Sequence, residues 1–139
     1  MRKEFELLHP KGMRITRSLT PAALAAAAPN GGLVRREMGN GWTWIRLPAF
    51  PEDDVVIDIS LGFEHDRLAQ IALADAHPQF GGSWDEWSER HERRRAESIR
   101  RWLAHKGYPP GRYVWGVVSA DYDAKSGSGG ASVRFRPEE

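Results

Sequence analysis

The stretch Gly81-Gly-Ser-Trp-Asp-Glu-Trp-Ser-Glu-Arg-His-Glu-Arg-Arg-Arg-Ala-Glu-Ser-Ile-Arg-Arg-Trp-Leu-Ala-His-Lys-Gly107 carries its own start, body and stop. Ser83 is a favourable helix N-cap, because its hydroxyl can accept from an orphan backbone N–H, and Glu86 three residues on completes a capping box. At the other end Gly107 stands where a left-handed residue is needed, Tyr108 can fold back on Leu103, and Pro109 and Pro110 forbid continuation. Between the caps Trp84, Trp87, His91, Arg95, Ile99 and Trp102 recur at helical spacing, a stripe apolar at both ends and polar in the middle. Glu86–Arg90, Glu89–Arg93 and Glu97–Arg101 are i,i+4 pairs with the acid on the N-terminal side, each contributing about 0.2–0.5 kcal/mol. The stretch predicts a helix over Trp84–Lys106.

Working outward, Val55–Phe63 has the clearest period of two in the chain. Val55, Ile57, Ile59, Leu61 and Phe63 point one way; Val56, Asp58, Ser60 and Gly62 point the other. A strand with one wet face belongs to an antiparallel sheet. Glu64–Arg67 turns the chain, and Leu68–Ala74 returns with Ala69, Ile71 and Leu73 as its apolar set. Further upstream, Trp42–Leu47 places Trp42 and Trp44 on one side and Thr43, Ile45 and Leu47 on the other. Gly39-Asn-Gly41 supplies the turn from a strand at Leu33–Met38. Glu4–Leu8 and Met13–Arg17 read as two short strands joined at His9–Gly12, with Phe5, Leu7, Met13 and Ile15 buried. Thr20 and Pro21 begin an alanine-rich helix over Pro21–Ala28, which stops before Pro29-Asn-Gly-Gly32. Arg112–Tyr122 and Ala131–Arg136 form a last hairpin around the glycine-rich loop Asp123–Gly130. The sum is one α+β domain over residues 1–139. It is a mostly antiparallel sheet with one long helix (84–106) packed on one face and a short N-terminal helix (21–28).

Composition excludes several classes. A formal net charge of +1 gives no global field for nucleic acid or a membrane. Without cysteine there is neither a disulfide nor a thiolate metal site, which suits a reducing compartment. The N-terminus lacks the apolar core of a signal peptide, and no apolar run approaches the roughly 20 residues of a membrane span. The chain reads as cytoplasmic.

Motifs for chemistry fail on spacing. His91-Glu92 begins a zinc-protease pattern, but the position of the second histidine holds Arg95. Lys125-Ser-Gly-Ser-Gly-Gly130 could cradle an anion, yet no glycine precedes Lys125 at P-loop distance and a strand follows, so it reads as a hairpin tip. Arg90, Arg93, Arg94, Arg95, Arg100 and Arg101 make a basic helix. The acids Asp85, Glu86, Glu89, Glu92 and Glu97 among them favour a salt-bridged solvent face over a nucleic-acid contact. No Gly-x-Ser-x-Gly elbow occurs, and nothing in the sequence brings Asp58, Asp66, Asp75 and Asp121 together. No catalytic residue, cofactor or metal is expected.

Six tryptophans are the compositional oddity. Trp84, Trp87, Trp102 and Trp115 read as core. Trp42 and Trp44, opposite Ile45, are either packed or displayed. With Glu52, Asp53 and Asp54 they form the candidate partner-binding set, an aromatic anchor beside an acidic rim.

From Gly81 onward the chain resembles the immunity proteins, small cytoplasmic bacterial proteins encoded beside polymorphic or contact-delivered toxins. The residues that carry the likeness are Gly81-Gly-Ser-Trp-Asp-Glu-Trp-Ser88, the arginine-rich helix, Trp115-Gly116 and Tyr122-Asp-Ala-Lys-Ser-Gly127. The resemblance implies a stoichiometric inhibitor that caps a cognate toxin. It carries over no functional residue, because such proteins use different surfaces against different toxins. Two alternatives stand beside it. One is a small enzyme or ligand-binding domain with a pocket between helix and sheet, where His91, Arg95 and Asp121 converge. The other is a secretion adaptor or chaperone.

Overall fold

The computed structural model describes residues 4–28, 31–81 and 83–137. In chain order its elements are β1 (Leu7–Leu8), β2 (Arg14–Ile15), α1 (Pro21–Ala27), β3 (Val34–Glu37), β4 (Trp42–Arg46), β5 (Phe50–Glu52), β6 (Val55–Glu64), β7 (Arg67–Asp75), α2 (Glu89–His105), β8 (Gly111–Tyr113), β9 (Gly116–Asp123) and β10 (Ser128–Phe135). Two 3₁₀ turns, Pro78–Phe80 and Trp84–Glu86, lie between β7 and α2. The fold is α+β, with every strand pairing antiparallel. β1 and β2 make a small hairpin; the remaining eight strands form one sheet in the order β3-β4-β6-β7-β10-β9-β8, with β5 also on β6.

The period of two in β6 decides which face is dry. Ile57, Ile59, Leu61 and Phe63 are buried, as are their cross-strand partners Ile45, Ile71 and Leu73 and, one strand further, Ala131 and Val133. Helix α2 lies over this face with Ala96, Ile99, Trp102 and Leu103, and the N-terminal segment closes it with Phe5, Leu7, Met13, Ile15 and Leu24. A bulge at Gly62/Phe63 shifts the register, so Leu68 rather than Ala69 joins Ile71 and Leu73 in the core. Gly129 sets how closely the helix approaches: a Cβ there would stand 1.7 Å from the carbonyl oxygen of Glu92.

The C-terminal end of α2 follows the expectation. Gly107 has φ +100°, its N–H donates to Ala104 O (3.0 Å), and Tyr108 N–H donates to Leu103 O (2.8 Å), which is a complete Schellman motif. Tyr108 is then buried among Phe5, Tyr113 and Trp115. The N-terminal end does not follow it. α2 begins at Glu89, capped by Ser88, whose Oγ accepts from His91 N–H at 3.0 Å. Ser83 makes no side-chain cap bond; its Oγ donates to the Glu86 carboxylate instead (3.4 Å), and Trp87 is extended. The reason is tertiary: Trp87 Nε1 donates to the Gly127 carbonyl at 2.6 Å, which holds this segment against the β9–β10 tip and out of helical geometry. Glu86 therefore precedes the helix, and no i,i+4 relation to Arg90 exists. Glu89–Arg93 (2.8 Å) and Glu97–Arg101 (3.7 Å) do pair as the spacing requires.

The other elements keep their type with adjusted bounds. Thr20 caps α1 through Ala23 N–H (3.1 Å), and α1 ends at Ala27; Pro29 and Asn30 lie outside the described residues. The closing hairpin is β9–β10, paired from Asp123↔Ser128, while Gly111–Tyr113 splits off as β8. No helix among the described residues is long and apolar enough to cross a membrane.

Candidate functional site

Among the described residues, no element covers the face of the sheet turned away from α2. Strand register draws it as a map. Ser60, Ala72, Ser132 and Ser119 align in one row across β6, β7, β10 and β9. A second row reads Trp44, Gly62, Gln70, Arg134 and Val117, and Asp58 and Asp121 stand beyond the serine row. Small side chains make the floor, so a groove of about 500 Å³ runs over it, bounded by Asp58, Gln70, Asp121 and Arg134.

Its walls are fixed from below. Gly62 has no side chain, and the Trp44 ring lies over it; a Cβ at position 62 would meet Trp44 Cη2 at 2.7 Å. Trp42 stacks beside Trp44 with centroids 6.1 Å apart and planes at 16°. Arg46 grips Asp58 with two hydrogen bonds, Nε to Oδ1 at 2.9 Å and Nη2 to Oδ2 at 2.8 Å. Those bonds, and then the carboxylate's charge, raise the Arg46 pKa above its ordinary value.

Past Ala131 the ladder between β7 and β10 ends, and Glu92 and Arg95 of α2 line the groove there. Both are spent on structure. Glu92 is buried and accepts from Gly129 N–H (3.1 Å) and Arg95 Nε (3.2 Å). Arg95 also donates to the carbonyls of Asp75, Phe80 and Gly81, clasping the segment after β7 to the helix. Asp75 is fully buried and accepts from Val56 N–H (3.1 Å), His77 N–H (3.0 Å) and Ser98 Oγ. Each charge in this network has a partner, as burial demands.

The pocket expected between helix and sheet is occupied by core side chains. Arg95 and Asp121 do line one groove, but on the opposite face, and His91 is not part of it. His91 Nδ1 is buried without a hydrogen-bond partner among the described residues. Asp58 and Asp121 are three strand spacings apart, about 14 Å. Asp58 is moreover engaged by Arg46 of β4, on the side away from Asp121. Asp66 sits at positive φ in the β6–β7 turn, away from both.

The candidate partner-binding set divides. Trp42 and Trp44 are half-buried on the uncovered face. Glu52 ends β5 and is held by Trp102 Nε1 and by Lys106 Nζ at 3.0 Å, at the C-terminal end of α2. Asp53 and Asp54 form the exposed β5–β6 turn beside Arg94, Arg101 and His105. The partner of Trp44 is Gly62 and the partner of Glu52 is Val55, seven residues apart along β6, or roughly 23 Å. The acids are no rim for the tryptophans.

Two of the tryptophans assigned to the core are elsewhere. Trp84 is 81% exposed and Trp87 42%, since the segment holding them is a separate 3₁₀ turn; Trp102 and Trp115 are buried as expected. Trp84 and Trp87 line a second depression that shares Asp58, Arg95 and Ser128 with the groove. The uncovered face thus has an aromatic pair at each end. Sequence reading missed Gln70, Ser119, Ser132 and Arg134. Their polar alternation was visible, but not the register that aligns them. Compared with known proteins, the chain matches no family model, no curated protein and no solved structure.

Proposed function

We propose that this chain is a protein-binding module and that the uncovered face of its sheet is the contact surface. In finer terms, it is a cytoplasmic immunity protein that neutralises a cognate bacterial toxin by stoichiometric binding. The observation that carries the first statement is the uncovered face itself: a broad, shallow surface with small polar side chains at its centre and Trp42/Trp44 and Trp84/Trp87 at its ends. Small-molecule sites are enclosed and mostly apolar, whereas this groove is open and floored by serine, alanine and glycine. Aromatic anchors with satisfied polar groups between them suit a protein partner. The class of partner rests on the likeness in Gly81–Gly127. A secretion adaptor would use the same surface on a different segment of the toxin.

The experiment is co-purification with the product of the neighbouring gene, then affinity and melting temperature on the same Trp44→Ala protein. Trp44→Ala is expected to weaken the complex by about 2 kcal/mol or more, and to leave the fold intact. A variant that unfolds while its folded fraction binds normally removes this surface from the interface. Substrate turnover by the purified protein, lost in Asp58→Asn or Asp121→Asn without unfolding, removes the binding reading altogether.

A further inference from the structure

The outer strands of the large sheet are not protected alike. β8 at one end is three residues long and follows Pro109 and Pro110, and β5, which pairs only with β6, carries Pro51 at its middle. Proline is a usual means of stopping an edge from pairing with another chain. β3 at the other end has no proline and no bulge; its register with β4 runs unbroken from Val34↔Arg46 to Glu37↔Thr43. Every residue of β3 is exposed, as is Met38 just after it. Its charges are of both signs, so they do not repel a like strand as a row of lysines would. Met38 N–H donates to Trp42 O at 3.0 Å. Antiparallel bonding alternates, so Val34, Arg36 and Met38 bond toward β4, while the N–H and C=O of Arg35 and Glu37 point outward. No backbone group among the described residues satisfies them.

We propose that β3 pairs antiparallel with β3 of a second copy of this chain, about a two-fold axis at Arg36. Arg35 then lies opposite Glu37 of the second copy, and Glu37 opposite its Arg35, both as hydrogen-bonded pairs that use the outward groups. Arg35 and Glu37 already pair along their own strand at 3.0 Å. The second copy leaves that pair in place and closes four charges into a square in which each has opposite charge on both sides. On the other face Val34 meets Met38 of the second copy, and Met38 its Val34, at the closer spacing of non-hydrogen-bonded pairs, so both exposed apolar side chains are covered. Arg36 opposite itself is the one unfavourable pair. Moving the axis one residue either way sets Arg35 against Arg35 or Glu37 against Glu37, and loses both the square and the Val34–Met38 contacts. Self-complementarity of this kind marks a two-fold interface between identical chains. Arg36 is the ladder partner of Trp44, so across the axis the uncovered face continues through both Arg36 side chains to Trp44 of the second copy, three strand spacings or about 14 Å away. Nothing in this pairing depends on the identity of another protein.

Val34–Met38 from each copy make a small interface, so a reversible dimer with Kd on the order of 0.1 mM is expected. Sedimentation equilibrium of the full chain over about 0.01–1 mM measures it. Arg35→Glu alone, or Glu37→Arg alone, should weaken dimerisation at least about tenfold, because each turns two attracting pairs into repelling ones. An equimolar mixture of these two variants should associate again, since the acids of one strand then face the bases of the other. The double swap, Arg35→Glu with Glu37→Arg, should dimerise like the native chain. Arg36→Thr should tighten the dimer about threefold by removing the one repelling pair. All these side chains are exposed, so the fold survives, which an unchanged melting temperature at low concentration checks. A native chain still monomeric at about 1 mM leaves this edge to a strand of another protein or to none, and overturns the proposal. A dimer that the single variants do not weaken, or that their mixture does not restore, has its interface elsewhere and also overturns it. A dimer loosened by Arg36→Thr has another register, with the same result. Each of these outcomes leaves the Trp44→Ala test of the protein-binding reading standing on its own.

Discussion

On one side of β6, Ile57, Ile59, Leu61 and Phe63 are sealed under α2 and the N-terminal segment. On the other side of the same ten residues, Asp58 and Ser60 are half in water and Gly62 lies under a single indole. The covered face is a packing problem with one solution, because a one-residue slip would exchange the two sets. The uncovered face has no such constraint. Apart from Trp42, Trp44, Gln70 and Arg134, its central residues are small or, like Asp58, paired, and truncating them should cost little. The lesson is that the two faces should respond to the same kind of substitution very differently.

The largest contrast is expected from truncation. Leu61→Ala should destabilise by about 2–5 kcal/mol through lost burial and a cavity that the sheet cannot collapse into. Ser60→Ala, its neighbour on the other face, should stay within about 0.5 kcal/mol. Urea unfolding of both variants measures this, and comparable losses would erase the distinction between the faces.

Two glycines sharpen the contrast by insertion. Gly129→Ala drives a methyl into the backbone of α2 at Glu92, where nothing short of moving the helix makes room, and about 3 kcal/mol of stability should go. Gly62→Ala meets the Trp44 ring, a half-buried side chain that can swing outward, so about 1 kcal/mol is expected. Tryptophan emission should shift in Gly62→Ala well below its melting temperature. If Gly62→Ala proves the costlier of the two, Trp44 is a core residue and the uncovered face is not open at that point.

The same division explains what was legible in the sequence. The β6 alternation, the burial of Ile59 and Leu61, and the Gly107 cap are local facts, and each can be read within a few residues. The start of α2 is not local. Locally Ser83 reads as the N-cap, but the structure places the cap at Ser88, and the bond from Trp87 to Gly127, forty positions away, is what moves it. The tryptophans at 84 and 87 were misread for that reason. The site suffered in the same way: polar positions on β6, β9 and β10 were identifiable strand by strand, but their alignment across four strands depends on register. The cap makes its own prediction. Ser88→Ala should cost about 0.5–2 kcal/mol and Ser83→Ala almost nothing. Thermal unfolding giving the reverse order would restore the longer helix.

The smallest effect belongs to the edge of the covered face, where Glu52 joins β5 to the end of α2. Burial pushes the Glu52 carboxyl up, but the hydrogen bonds from Lys106 and Trp102, together with the Lys106 charge, outweigh it and hold its pKa below the ordinary value. A carboxyl with a depressed folded-state pKa contributes stability above its unfolded pKa, near 4.3, and loses it as the pH falls through the folded value. The side chain is 35% exposed, so solvent screens the pair and the contribution at neutral pH should be below about 1 kcal/mol. Glu52→Gln should therefore lower stability slightly at pH 7, and the gap should close as the pH falls through the depressed folded-state pKa. Added salt at pH 7 should narrow the same gap only in part, since the hydrogen bonds from Lys106 and Trp102 outweigh the screenable Lys106 charge. A gap that persists unchanged at low pH would mean that Glu52 acts on Trp102 through packing alone, and that this edge of the helix is held by shape rather than charge.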